Sequence, residues 1–213
     1  MALTNLVKYL LQHNKDLIRN EQWYELYEEI EAYKAKVGRV TDALLQAGID
    51  PLQTLKWVPN YYLAETQLFE NFTLPSQIRT IEIRAFLLSS IKNMKVGPML
   101  ETIGHDAFAA SELKTINLQD TAVKNILSCA FQNCHLETIE LPNTVELIGD
   151  KAFLDIPSLH RIKFNSDVNL LGSTILENDK PCKIICPKDA IKVINYFAPR
   201  ADGRYRNIIL ETY

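Results

Sequence analysis

The sequence is short of the features that carry a chain to or across a membrane. It has no stretch of about 18 apolar residues, and its opening, MALTNLVKYLLQHNKDL, has no apolar run after a basic start and no small-residue cleavage site. We therefore expect a soluble, cytoplasmic chain. Charge of one sign is also lacking. Lys and Arg total 23 against 26 Asp and Glu, a formal net charge of −3, which is not the footprint of a general nucleic-acid binder. The four cysteines, Cys129, Cys134, Cys182 and Cys186, form no CxxC pair, and no histidine stands at ligand spacing beside Cys182 and Cys186. On an extended strand Cys182 and Cys186 would lie roughly 13 Å apart, too far for a disulfide. Free, reduced, structural thiols are expected, with neither a metal nor another cofactor.

Catalytic signatures are missing as well: GxSxG, GxxxxGK[ST], GxGxxG and HExxH do not occur. His13, His105, His135 and His160 sit in unrelated positions, and the adjacent Cys134 and His135 would face opposite sides of an extended segment. We expect no enzyme.

A chain of 213 residues with 47% hydrophobic residues can nonetheless bury a sizeable core. Its front end reads as helical. Leu3, Leu6, Val7, Leu10 and Leu11 form an apolar stripe at helical spacing. A second helix starts at an Asn20 cap and repeats Trp23, Leu26, Tyr27, Ile30 and Tyr33 on one face. A third, short one runs from Thr41 to Gly48, before Asp50-Pro51 breaks the pattern.

From there the chain repeats itself. Residues 136–153, LETIELPNTVELIGDKAF, have near-copies on both sides, the mark of a stacked array. One closing column, Leu63, Phe86, Phe108, Phe131 and Phe153, advances in steps of 23, 22, 23 and 22 residues. An independent column, Val58, Ile81, Ile103, Ile126 and Ile148, keeps the same steps. A third holds apolar pairs two residues apart, as on one face of a short strand: Phe72 with Leu74, Met94 with Val96, Ile116 with Leu118, Ile139 with Leu141, Ile162 with Phe164. Turn residues follow these pairs, and a small residue, Ala85, Ala107, Ala130 or Ala152, precedes each closing Phe.

The strings PSQIRTIEIRAF, LETIGHDAF and LPNTVELIGDKAF resemble BspA-type leucine-rich repeats over about residues 55–165. The ending CKIICPKDAIKVINYF, followed by RNIIL, resembles that family's terminal strand, short helix and last strand. Two places depart from the pattern: residues 58–63 are degenerate, and one residue is inserted near 120–123. The resemblance implies an α/β repeat fold, a leucine-rich-repeat solenoid of short parallel strands. We expect a helical N-terminal cap over 1–50, the solenoid over 51–178 and a small α/β C-terminal cap over 179–213. It also implies a protein-binding role, often adhesive and surface-exposed in bacteria and found too in viruses of bacteria. With no export signal in view, the reading favoured is an intracellular, phage-borne protein that grips and modulates a host protein. A surface adhesin and a structural subunit of a larger particle are the alternatives.

Period-2 alternation sends Thr73, Lys95, Asn117, Glu140 and Lys163 outward in one row, with Lys92 and Lys114 flanking it. Lys92, Lys95, Lys114, Asn117, Glu140 and Lys163 are the candidate partner-binding residues; the same mixed charges would also serve simply to block edge association. A second candidate is the C-terminal unit, where Lys180, Lys183, Lys188, Lys192, Arg200, Arg204 and Arg206 interleave with Tyr196, Phe197 and Tyr205. Those aromatics either serve nucleic-acid binding or cap the last coil; no recognised binding module surrounds them.

Overall fold

The computed structural model describes Leu45, residues 50–53, 55–67, 69–177 and 180–198, Tyr205 and residues 207–213. The helical cap expected over residues 1–50 lies outside the described residues. Only two positions of that segment are described, Leu45, helical and packed against the core, and Asp50.

The repeats build a parallel β-solenoid whose rungs are too short to stand alone and are held by stacking. On one wall, six two-residue strands pair in sequence: β1 (Trp57–Val58), β3 (Thr80–Ile81), β5 (Thr102–Ile103), β7 (Asn125–Ile126), β9 (Leu147–Ile148) and β11 (Leu170–Leu171). The register sets Val58 on Ile81, Ile81 on Ile103, Ile103 on Ile126, and Ile126 on Ile148. The degenerate first coil therefore keeps step with the rest. On the opposite wall a three-stranded sheet holds β2 (Asn71–Thr73), β4 (Asn93–Lys95) and β6 (Thr115–Ile116). A separate four-stranded sheet holds β8 (Thr138–Leu141), β10 (Arg161–Phe164), β12 (Cys182–Cys186) and β13 (Ile208–Thr212).

Between the walls runs the aromatic column. Phe86, Phe108, Phe131 and Phe153 are fully buried and stack nearly parallel, with centroids 5.1, 5.4 and 5.5 Å apart. Leu63 heads the column, its N–H donating to Ala85 O at 2.7 Å. The same bond recurs from Phe86 to Ala107, Phe108 to Ala130 and Phe131 to Ala152, at 2.8 to 2.9 Å. The alanines are buried because a larger side chain would collide in this corner, where each carbonyl must receive the coil before it.

The corner is made without glycine at its strained points. Two left-handed residues flank each closing residue at two positions either side: Tyr61 and Glu65, Arg84 and Leu88, Asp106 and Ala110, Cys129 and Asn133, Lys151 and Asp155, all with φ between 52° and 59°. Their N–H groups also donate to the next coil, as from Arg84 to His105 O at 2.9 Å and Leu88 to Ala109 O at 3.0 Å. Stacking thus pays for left-handed backbone that costs about 1–2 kcal/mol at an ordinary residue.

Past the last coil, β12 leads into helix α1 (Ile191–Phe197) and then into β13, which pairs parallel to β12. Tyr196 replaces the missing next coil: its hydroxyl donates to Gly172 O at 2.7 Å and accepts from Ile175 N–H at 3.0 Å. Phe197 packs 6.1 Å from Phe164 and 5.3 Å from Tyr205. Of the two roles weighed for these aromatics, their placement is that of a cap, turned toward the solenoid's end.

Candidate recognition face

The outward side chains of the strand wall form hydrogen-bonded rows, because parallel pairing puts like positions one rung apart. Asn93 Nδ2 donates to Asn71 Oδ1 at 2.8 Å, and Thr115 Oγ1 donates to Asn93 Oδ1 at 2.7 Å. This ladder runs up the three-stranded sheet beside the row of Thr73, Lys95 and Asn117. Sequence reasoning passed over it; the signal was an Asn, Asn, Thr series one position before the buried column.

Charges pair along the same direction. Lys92 Nζ lies 2.6 Å from Glu70 Oε1, and this contact raises the lysine's pKa while lowering the carboxylate's. Arg79 pairs with Glu101, Arg84 Nε meets Asp106 at 3.1 Å, and Lys183 meets Glu211 at 2.7 Å. Each joins neighbouring rungs, and at such exposure ion pairs add little to stability.

The candidate residues separate into two groups. Lys92, Lys95, Lys114 and Asn117 gather on and beside β4 and β6. Lys95, Lys114 and Asn117 are exposed, and neither Lys95 nor Lys114 forms an ion pair among the described residues. Asn117 turns its Oδ1 back to accept from Gln119 N–H at 3.0 Å. Glu140 and Lys163 sit across the gap in pairing between β6 and β8. They bind each other at 2.5 Å, with Glu140 also accepting from Asn165 Nδ2 at 3.1 Å. The Lys163 hydrogen bond, aided by Asn165, holds the Glu140 carboxyl below the usual range. This pair is therefore partly committed within the fold, whereas Lys95, Lys114 and Asn117 keep their outward surfaces open.

Among the described residues the cysteines and histidines stand apart from one another. All four cysteines are free; burial pushes the Cys134 and Cys182 thiols up to about 12 and raises Cys129 and Cys186 as well, so none is a ready thiolate. Cys134 is buried while His135 is exposed and spends its Nδ1 on Ser111 O at 3.2 Å. Among the described residues no three His, Cys, Asp or Glu side chains stand close enough to hold a metal ion. An open depression lined by Val168, Asn169, Leu171, Lys192, Asn195 and Tyr196 is crossed by Lys192, whose Nζ reaches Asn169 at 3.4 Å. No described helix is long and apolar enough to cross a membrane.

Strands, closing column and inter-coil ladder together define a solenoid of the leucine-rich-repeat class. The model of the BspA type leucine rich repeat region matches residues 49–134 and 124–208 in six copies, and the chain belongs to that family. Comparison with curated proteins by sequence returned no match. Among solved structures the chain is similar to the pneumococcal vaccine antigen PcpA, at 18% identity and a TM-score of 0.48. That similarity covers 74% of this chain and 44% of the antigen's, so the chain spans less than half of its length.

Proposed function

We propose that this protein is a non-catalytic recognition scaffold that binds a protein partner through the outward face of β2, β4 and β6, with Lys92, Lys95, Lys114 and Asn117 at its centre. The observation that carries the reading is the preorganised row: Asn71, Asn93 and Thr115 are tied together by hydrogen bonds between rungs, and Lys95 and Lys114 remain open beside them. A face already fixed by stacking loses little conformational freedom on binding, so modest contacts convert efficiently into affinity. The finer proposal is an intracellular, phage-borne modulator of a host protein. The four free cysteines, which suit a reducing compartment, support the intracellular part of that proposal.

The test is co-purification of the tagged full chain from host cytoplasm, beside a Lys95→Glu/Lys114→Glu variant. A stoichiometric host protein that is lost from the variant, with Tm unchanged, is the expected result. Equal recovery by both proteins would remove the face from consideration, and recovery only at the cell surface or within particles would replace the intracellular reading.

A further inference from the structure

The two ends of the described solenoid are finished differently. At the first coil Leu52, Leu55, Val58 and Leu63 are completely buried. At the far end the equivalent inward residues Leu171, Ile208 and Leu210 are only partly covered, and Leu170, Ile191, Ile209 and Tyr213 are each more than half exposed. The outermost strand among the described residues there is β13. Cys182 N–H donates to Asn207 O at 3.0 Å and Tyr213 N–H to Cys186 O at 3.2 Å, so odd-numbered residues of β13 face β12. By the alternation of a parallel ladder, the N–H and C=O groups of Leu210 and Thr212 and the C=O of Ile208 point away from the sheet. None of these groups has a hydrogen-bond partner among the described residues.

Edges of this kind are normally blunted by an outward proline, a bulge or an unpaired charge. Here there is none: the one charged residue on β13, Glu211, is already held by Lys183 at 2.7 Å. The edge is also self-complementary. With a two-fold axis at Leu210, that residue faces its own copy and exchanges both backbone bonds with it. Thr212 N–H then meets the copy's Ile208 C=O on each side. Ile208 and Leu210 would bury their remaining apolar surface against the copy, and Ile209 would lie over the stem of its Glu211.

We propose that β13 is a homodimerisation strand: two copies of this chain pair antiparallel across Leu210 and double the four-stranded sheet. The axis stands perpendicular to the sheet, so both strand faces turn to the same side and the scaffold becomes bivalent, which multiplies apparent affinity for a clustered partner without any new contact. This inference is independent of which residues bind that partner.

Sedimentation equilibrium on the full chain over a concentration series tests it, with Ile209→Glu and Leu210→Pro as variants. Leu210→Pro removes the outward N–H together with a partly buried side chain; Ile209→Glu changes an exposed side chain that lies opposite Lys183 within the chain and would face Glu211 of the copy, and it keeps the measurement interpretable if the proline variant unfolds. Wild type should approach twice the 24.4 kDa chain mass. Ile209→Glu should remain at the single-chain mass, with a Tm free of the concentration dependence that dimerisation gives the wild type. The amides of Leu210 and Thr212 should exchange slowly in wild type and freely in Ile209→Glu. A wild-type chain that stays monomeric overturns the proposal, as does a dimer that survives the substitutions or one that leaves those two amides unprotected. Binding of a different protein's strand to β13 by a monomeric chain would equally assign the edge to another occupant.

Discussion

The two walls of the solenoid come from the same coils, yet one runs unbroken through six strands while the other divides between β6 and β8. The difference lies in where the chain tolerates an extra residue. From Ile81 to Phe86, Ile103 to Phe108, Ile126 to Phe131 and Ile148 to Phe153 the interval is always five residues. That corner carries the buried alanine, the left-handed pair and the bonds between coils, and has no room to vary. From strand wall to short wall the interval is nine residues between Met94 and Ile103 and again between Ile139 and Ile148, but ten between Ile116 and Ile126. The additional residue is taken up after β6, where Asn117 and Thr121 fold the chain into hydrogen-bonded turns and the ladder to β8 lapses. Register is thus enforced by the buried corner, and the strand wall is free to be interrupted.

Substitutions on the shared axis, the unbroken wall, its end and the divided wall should therefore fall in that order of effect. Phe131→Ala empties a site stacked on both sides and should cost about 3–5 kcal/mol in chemical denaturation, breaking both walls together. On the unbroken wall, a Cβ at Gly149 would lie 2.5 Å from Ser128 N, backbone that cannot step aside. Gly149→Ala should cost about 1–3 kcal/mol by the same assay. At the end of that wall, Tyr196→Phe leaves the Ile175 N–H without its acceptor next to a buried side chain. A loss of about 1–3 kcal/mol is expected, with faster amide exchange at Ile175 while Phe86 is unaffected.

The divided wall should respond least. Because Glu140 has a lowered pKa in the fold, its pairing with Lys163 stabilises fully above the ordinary carboxylate range and is lost as the pH falls through the lowered value. Glu140→Gln should abolish that acid-side component of the stability–pH curve and cost no more than about 1 kcal/mol at neutral pH. A larger loss would make the divided wall as important as the continuous one.

Much of this was legible from the residues. The columns ending in Phe86, Phe108, Phe131 and Phe153 repeat at a nearly fixed step, and stacking turns such a period directly into contact. The terminal strand, helix and strand were also readable, through the likeness of CKIICPKDAIKVINYF and RNIIL to the family's terminal unit. The break in the strand wall was not: the inserted residue was visible, but its effect depends on Asn117 turning back on itself. Nor was the commitment of half the candidate face evident. Lys92 with Glu70 and Glu140 with Lys163 are pairs 22 and 23 residues apart, neighbours only once the rungs are laid in register. The left-handed corners left only a faint compositional trace: Asp106, Asn133 and Asp155 are types that tolerate such backbone, but Arg84, Leu88 and Lys151 occupy other corners in place of the glycine it favours.

The amides of Phe86, Phe108, Phe131 and Phe153 test the central claim most directly, because each donates across the column to the coil that follows it. Native-state hydrogen exchange should find all four among the slowest in the chain and protected to a common degree, opening only with global unfolding. Exchange at the pace of surface turns, or a division in which Phe86 and Phe108 open separately from Phe131 and Phe153, would contradict a single continuous stack.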